Sequence, residues 1–216
     1  MQVIGYIHIC QLGDWKRSFN MLMTRIRESG LYSVATEFRC GVVSPTGTIT
    51  QDEIFMDPKI KIVCSGYSQE YERPTLLHMR NSAEIDGDNK RYLYLHTKGL
   101  RWFGTSKEPF VVDWINLLLY WNVNKWRDAL SMLETYDTYG CNYYCKDNVW
   151  PHHYSGNFFW TTPKHLKTLP RYIGPGYNDP EFWLCSNKPK VHNAFTSGLE
   201  GMGHYDTPFP ESIYKK

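Results

Sequence analysis

The sequence predicts an α/β fold with a central, mostly parallel mixed sheet flanked by helices, and three observations carry that expectation. Apolar, β-branched runs recur along the first hundred residues, segments with helical spacing separate them, and 216 residues are enough to bury one sizeable core. Val3–Cys10 is the first run, followed by the loop Gln11-Leu12-Gly13-Asp14 and a helical pattern from Trp15 to about Ser29. Glu37–Val43 and Lys61–Cys64 read as two further buried strands, the first closed by the turn residues Ser44-Pro45-Thr46-Gly47. Pro74 suits the first helical position, Leu76, Leu77, Met79 and Arg80 continue the helix, and Asp86-Gly87-Asp88-Asn89 breaks it. The strand Arg91–His96 comes next. Pro109 then leads into one long helix reaching about Glu134, with Trp114, Leu117, Leu118 and Trp121 on a shared face. Beyond Tyr139-Gly140 the chain is rich in Gly, Pro, His, Asn and aromatics, with short regular stretches expected around Phe158 and Glu181–Leu184. Residues 1–216 read as a single domain, complete or the amino-terminal part of a longer protein.

Composition narrows the function. With 24 basic and 22 acidic residues the formal net charge is +2, spread along the chain, so no basic stripe suggests a nucleic-acid partner. The 16 Tyr, 10 Phe and 8 Trp, many in loop-like segments, supply flat rings that stack on sugars or bases. No apolar run is long enough for a transmembrane segment, and Met1-Gln2-Val3-Ile4 has no leader-like charge pattern, so a cytoplasmic chain is expected. The six scattered cysteines are expected to be free thiols.

In a parallel sheet, ligands bind beyond the carboxyl ends of the strands. Two motifs fall there. In Leu95-His96-Thr97-Lys98-Gly99, Lys98 offers a point charge to a diphosphate, Thr97 a hydroxyl, and Gly99 close backbone approach; the alternative is a polar turn after an edge strand. In His153-Tyr154-Ser155-Gly156-Asn157-Phe158-Phe159-Trp160, polar groups for hydroxyl recognition mix with aromatics, while Phe158 and Trp160 read rather as one buried face of a strand. Cys10, Gln11, Leu12 and Gly13 follow the first strand, and Arg73 and Thr75 follow the third, so they too fall near a nucleotide crevice. Glu181 is a candidate general base and Asp179 its neighbour; capping a short helix that begins at Pro180 is the alternative for both. Cys141 and Cys145 with His152 and His153 have permissible zinc spacing, but adjacent histidines do not easily aim at one tetrahedral ion.

These motifs together, Leu-His-Thr-Lys-Gly, a tryptophan-bearing helix, Gly-Cys-Asn, Tyr-Ser-Gly-Asn-Phe-Phe-Trp and Pro-Glu-Phe-Trp, resemble the small glycosyltransferases of large DNA viruses. The likeness is to the amino-terminal domain of chlorella-virus capsid-glycan glycosyltransferases and, more distantly, to bacterial polysaccharide glycosyltransferases, and it runs from Tyr6 to about Pro210. It implies a GT-A-like fold, a uridine diphospho-sugar (UDP-sugar) donor, a hexose or deoxyhexose moved to a growing glycan or glycoprotein acceptor, and residence in the host cytoplasm. Cys10–Gly13, Arg73, Thr75 and His96–Gly99 would then hold the nucleotide, and His153–Asn157 the sugar or acceptor. GT-A enzymes end their fourth strand with Asp-x-Asp, which holds Mn2+ or Mg2+ on the diphosphate. This chain ends it with His96-Thr97-Lys98, and its Asp86-Gly87-Asp88 precedes the strand, so the metal ligands are left unassigned. A binding module for nucleotides or glycans, without turnover, is the rival reading; a metal hydrolase built on the scattered histidines is weaker.

Overall fold

The computed structural model of the chain describes residues 1–146, 149–199 and 203–215. Its main elements, in chain order, are β1 (Gln2–Cys10), α1 (Trp15–Glu28), α2 (Leu31–Val34), β2 (Ala35–Ser44), β3 (Ile60–Tyr67), α3 (Arg73–Asp86) and β4 (Lys90–His96). Then follow α4 (Glu108–Leu119), a π-helical turn (Tyr120–Asn124), α5 (Trp126–Met132), β5 (Thr138–Gly140), β6 (Tyr143–Tyr144) and β7 (His153–Tyr154). The last are β8 (Phe159–Thr161), α6 (Pro163–Thr168), α7 (Asp179–Trp183) and β9 (Val191–Asn193). Seven strands form one mixed sheet in the order β3-β2-β1-β4-β8-β5-β9, while β6 and β7 pair as a separate small ribbon. All neighbours run parallel except β8, which is antiparallel to both β4 and β5.

Strand alternation explains the two-layered cover. In β1, Val3, Ile7 and Ile9 enter one apolar cluster, and Ile4 and Tyr6 enter the other; in β4, Leu93 and Leu95 oppose Tyr92 and Tyr94 in the same way. The first cluster is closed by α1, α4 and α5. Phe19, Leu22, Met23 and Ile26 of α1 recur at helical spacing, and the Asp14 carboxylate caps this helix by accepting from the Arg17 amide at 3.3 Å. The second is closed by α3, α6 and α7, with Leu76, Met79 and Ala83 of α3 packed on the tyrosines.

Two expectations are corrected here. The third strand is not buried: β3 is the edge of the sheet, and Ile62 is 38% exposed. The expected long helix is interrupted at Tyr120–Asn124, where fully buried Asn122 donates its amide to Leu118 O at 2.9 Å and accepts from Trp160 Nε1 at 2.7 Å on its own carbonyl. A regular helix would not leave that carbonyl free for the indole, so the ladder widens by one residue. Among the described residues no helix is long and apolar enough to cross a membrane, and all six cysteines are free.

The reversal of β8 positions the site. β4 pairs Tyr94 with Phe159, so the residues just before β8, Gly156 and Asn157, arrive at the carboxyl end of β4 beside His96.

Candidate active site

Two cavities lie side by side at the carboxyl ends of β1 and β4. The first, about 470 Å³, is lined by Cys10, Leu12 and Gly13 after β1, by His96–Gly99 after β4, and by Arg101 and Trp102. The second, about 490 Å³, is lined by His153, Ser155, Gly156, Asn157 and Glu181 among several aromatic rings, Trp114, Tyr144, Trp150 and Phe182 included. Tyr71, Glu72, His96, Lys98, Tyr177 and Tyr205 belong to both, forming the shared wall.

The strand-end motif is assembled by backbone needs. Thr97 Oγ1 accepts from the Cys10 amide at 3.0 Å and the Thr97 amide donates to His8 O at 2.9 Å, which ties the ends of β1 and β4. The chain then turns through Gly99, whose φ of 80° is left-handed and whose Cβ would stand 2.5 Å from Val111. That turn delivers Lys98 into the shared wall. Its ammonium lies 3.8 Å from the centre of the Trp114 ring, a cation–π contact. Burial pulls the lysine below its ordinary pKa, while the charges of Glu181 and Glu72 oppose that through space. Arg101, exposed at the rim, donates from Nη2 to the Tyr177 hydroxyl at 2.7 Å.

The second motif is fixed from the opposite side. Gly156 has φ 96°, and a Cβ there would meet Leu118 at 2.7 Å. Its amide donates to Glu181 Oε1 at 2.7 Å and its carbonyl accepts from His96 Nε2 at 3.0 Å, so one glycine links the carboxylate of α7 to the end of β4. Asn157, also left-handed at φ 55°, donates from Nδ2 to Glu72 Oε2.

Glu72 sits at the N-cap of α3 and was not among the sequence candidates. Its Oε2 also accepts from the Tyr94 hydroxyl at 2.8 Å, and its Oε1 lies 3.8 Å from His96 Nε2. Burial would raise this carboxyl; the nearby His96 and His8 imidazoles and the hydrogen bonds from Tyr94 and Asn157 outweigh it, holding the pKa below the ordinary value. His8 itself is pushed down to about 4 by burial, with Nδ1 2.8 Å from Thr75 Oγ1.

Five of the sequence candidates do not reach either cavity as expected. Gln11 turns away to form a two-way amide pair with Thr50, at 2.8 Å in each direction. Arg73 donates its fork to backbone carbonyls, Nε to Gly174 O at 2.7 Å and Nη2 to Gly176 O at 2.5 Å, clamping the loop before α7. Tyr154 is buried in the second cluster with its hydroxyl on His192 O at 2.9 Å. Asp179 closes a turn by accepting from the Gly176 amide at 2.7 Å. Thr75 is buried beneath His8. Phe158 and Trp160, expected as one buried face of a strand, are fully buried core. The signal that could have found Glu72 is its place one residue before a Pro-initiated helix that follows a parallel strand, where an acceptor at the helix start faces the crevice.

A divalent cation of the Asp-x-Asp kind does not fit these residues. At the end of β4 the Thr97 hydroxyl and His96 Nε2 are committed to backbone partners, and Lys98 brings a positive charge of its own. Asp86 is engaged by Arg39 at 2.6 Å, Lys90 at 2.8 Å and the Tyr92 hydroxyl at 2.6 Å at the opposite end of the strand, and Asp88 by Lys167 at 2.7 Å. Among the described residues no three His, Cys, Asp or Glu side chains group as metal ligands would.

No protein-family model matches the chain, and no curated protein matches it. Among solved structures, it is similar to a chain from Desulfovibrio desulfuricans G20 provisionally described as a nucleotide-diphospho-sugar transferase. The two share 12% sequence identity, with a TM-score of 0.44 over 91% of this chain and 81% of that one.

Proposed function

We propose that this chain is a GT-A-like glycosyltransferase, acting through residues 1–216 as one unit, that moves a hexose or deoxyhexose from a UDP-sugar to a growing glycan. One observation carries the reading: a crevice with cations at its wall and an aromatic cavity with a carboxylate, of about 470 and 490 Å³, share Lys98 and Glu72 between them. A two-substrate transfer needs that layout, because donor and acceptor must meet at one carbon. The uridine base and the viral capsid glycan rest on the sequence resemblance.

In this reading the nucleotide lies over Cys10, Leu12 and Gly13, and its diphosphate meets Lys98 and Arg101. The acceptor lies among the rings of the second cavity. Glu181 keeps Oε2 for the acceptor hydroxyl because Oε1 is held by the Gly156 amide. The acceptor oxygen attacks the anomeric carbon, its proton passes to Glu181, and the bond to the phosphate oxygen breaks with the electron pair leaving on the diphosphate. Lys98 and Arg101 stabilise that developing charge, the effect that usually contributes most to rate. Calorimetry with uridine, guanosine and cytidine diphosphates tests the donor, and release of free sugar from UDP-sugar without acceptor separates an enzyme from a binding module. No binding of any nucleoside diphosphate would sink the reading.

A further inference from the structure

We propose that Glu72 holds the transferred sugar of the donor, accepting ring hydroxyls on Oε1, and thereby restricts the donor to neutral, hydroxyl-bearing glycosyl groups. The inference rests on the glycosyltransferase reading and assigns the carboxylate that lines the two cavities beside Glu181. Glu72 belongs to both cavities, so it stands where the sugar must lie if the diphosphate is on one side and the acceptor on the other. Its two oxygens are not equivalent. Oε2 accepts from Tyr94 and Asn157, whereas among the described residues Oε1 has only His96 Nε2 at 3.8 Å, beyond hydrogen-bonding distance, and so retains its lone pairs for a ligand.

The side chain is 20% exposed and lines both cavities. Three parts of the fold converge to hold it: the start of α3, Tyr94 of β4, and Asn157, which adopts left-handed backbone to make its contact. Such a carboxylate can only accept, and a sugar ring is a set of hydroxyl donors. It stays ionised, since its neighbours hold its proton affinity below the ordinary value. A fixed negative charge there repels phosphate, which sends the diphosphate towards Lys98 and Arg101 and sets the direction in which the donor lies. By the same repulsion it rejects a sugar that carries its own carboxylate.

The test uses the full chain and two matched donor pairs that differ only at C6: UDP-glucose with UDP-glucuronate, and UDP-galactose with UDP-galacturonate. Calorimetry should show UDP-glucuronate or UDP-galacturonate binding at least about 10-fold more weakly than its neutral partner, in whichever pair the neutral donor binds better than UDP. Glu72→Gln removes the charge and should bring that ratio to within about twofold, its folding checked by thermal melting. Equal affinity within both pairs for the native chain overturns the proposal even if the variant does not fold. An unchanged ratio in a folded Glu72→Gln also overturns it. Failure of UDP itself to bind overturns the transferase reading as well, and so is distinguishable from failure of the role of Glu72 alone.

Discussion

Replacing Lys98 by Met separates what this side chain does for folding from what it does for a ligand. Methionine keeps the length and the apolar stem and removes the ammonium. In the folded chain that ammonium rests 3.8 Å from the Trp114 ring, a contact worth about 1–2 kcal/mol when desolvated. Against it stands the cost of drawing the charge out of water, which is why the lysine titrates below its ordinary value. The two effects oppose, so the melting temperature of Lys98→Met should move by only a few degrees. The sign with pH follows: a lysine whose folded pKa lies below its unfolded one costs stability at neutral pH, and the cost fades as pH rises through the folded value. Binding has no such compensation. Loss of a charge-assisted hydrogen bond to a diphosphate removes about 1.5–3 kcal/mol, or roughly 10- to 200-fold in affinity. Calorimetry with UDP, beside thermal unfolding, reads both. If UDP binds the folded variant within twofold of the native chain, Lys98 is only a packing residue and the diphosphate does not lie in this crevice.

Glu181→Gln preserves the Gly156 amide contact while removing the proton acceptor, so single-turnover transfer should fall roughly 100-fold or more with donor affinity nearly unchanged; near-normal transfer removes Glu181 from the mechanism. Arg73→Met releases the carbonyls of Gly174 and Gly176 and should cost about 1–3 kcal/mol in urea unfolding, while lowering UDP affinity far less than Lys98→Met does. A larger effect on UDP than on stability would restore Arg73 as a phosphate ligand. Asp86, 11% exposed, is held down to about 2 from 3.8; burial opposes the shift and its bonds to Arg39, Lys90 and Tyr92 drive it. Its contribution of about 2 kcal/mol is fully present above the unfolded pKa and is lost as pH falls through about 2. Asp86→Asn should therefore unfold at lower urea at pH 7, converge with the native chain near pH 2 and leave UDP binding intact with or without Mn2+.

The regular half of the molecule was legible because periodicity reports burial directly. β1, β2, α1, α3 and β4 lie where apolar alternation and helical spacing put them. The π turn at Tyr120–Asn124 was not, since one buried asparagine whose side chain serves Leu118 and whose backbone carbonyl serves an indole 38 residues away leaves no local pattern. The cavities lie at the strand ends, where a parallel sheet leaves room for them, but the side chains that line them were much less legible. Arg73 and Arg101 both follow strands, but only the tertiary structure shows that the first has its fork filled by carbonyls and the second stands at the crevice. Glu72 is hidden in a charged run, Glu70-Tyr71-Glu72-Arg73, which reads as a solvated turn. Nothing local says that Tyr94 and Asn157 will converge on it.

The single reversed strand separates the two halves of the cleft along the chain. The crevice is built almost entirely from residues before Phe103, on the parallel strands, and the aromatic cavity largely from residues after Cys141, brought alongside by β8. The two meet at the shared wall of Tyr71, Glu72, His96, Lys98, Tyr177 and Tyr205 and through the His96–Gly156 hydrogen bond. Lengthening or exchanging residues 170–178, between α6 and α7, would therefore redraw the outer lip while the register of β1 with β4 stays as it is. Tyr177 carries that lip into the crevice as well, through the hydroxyl that accepts from Arg101, so a change of lip is felt in both cavities at once.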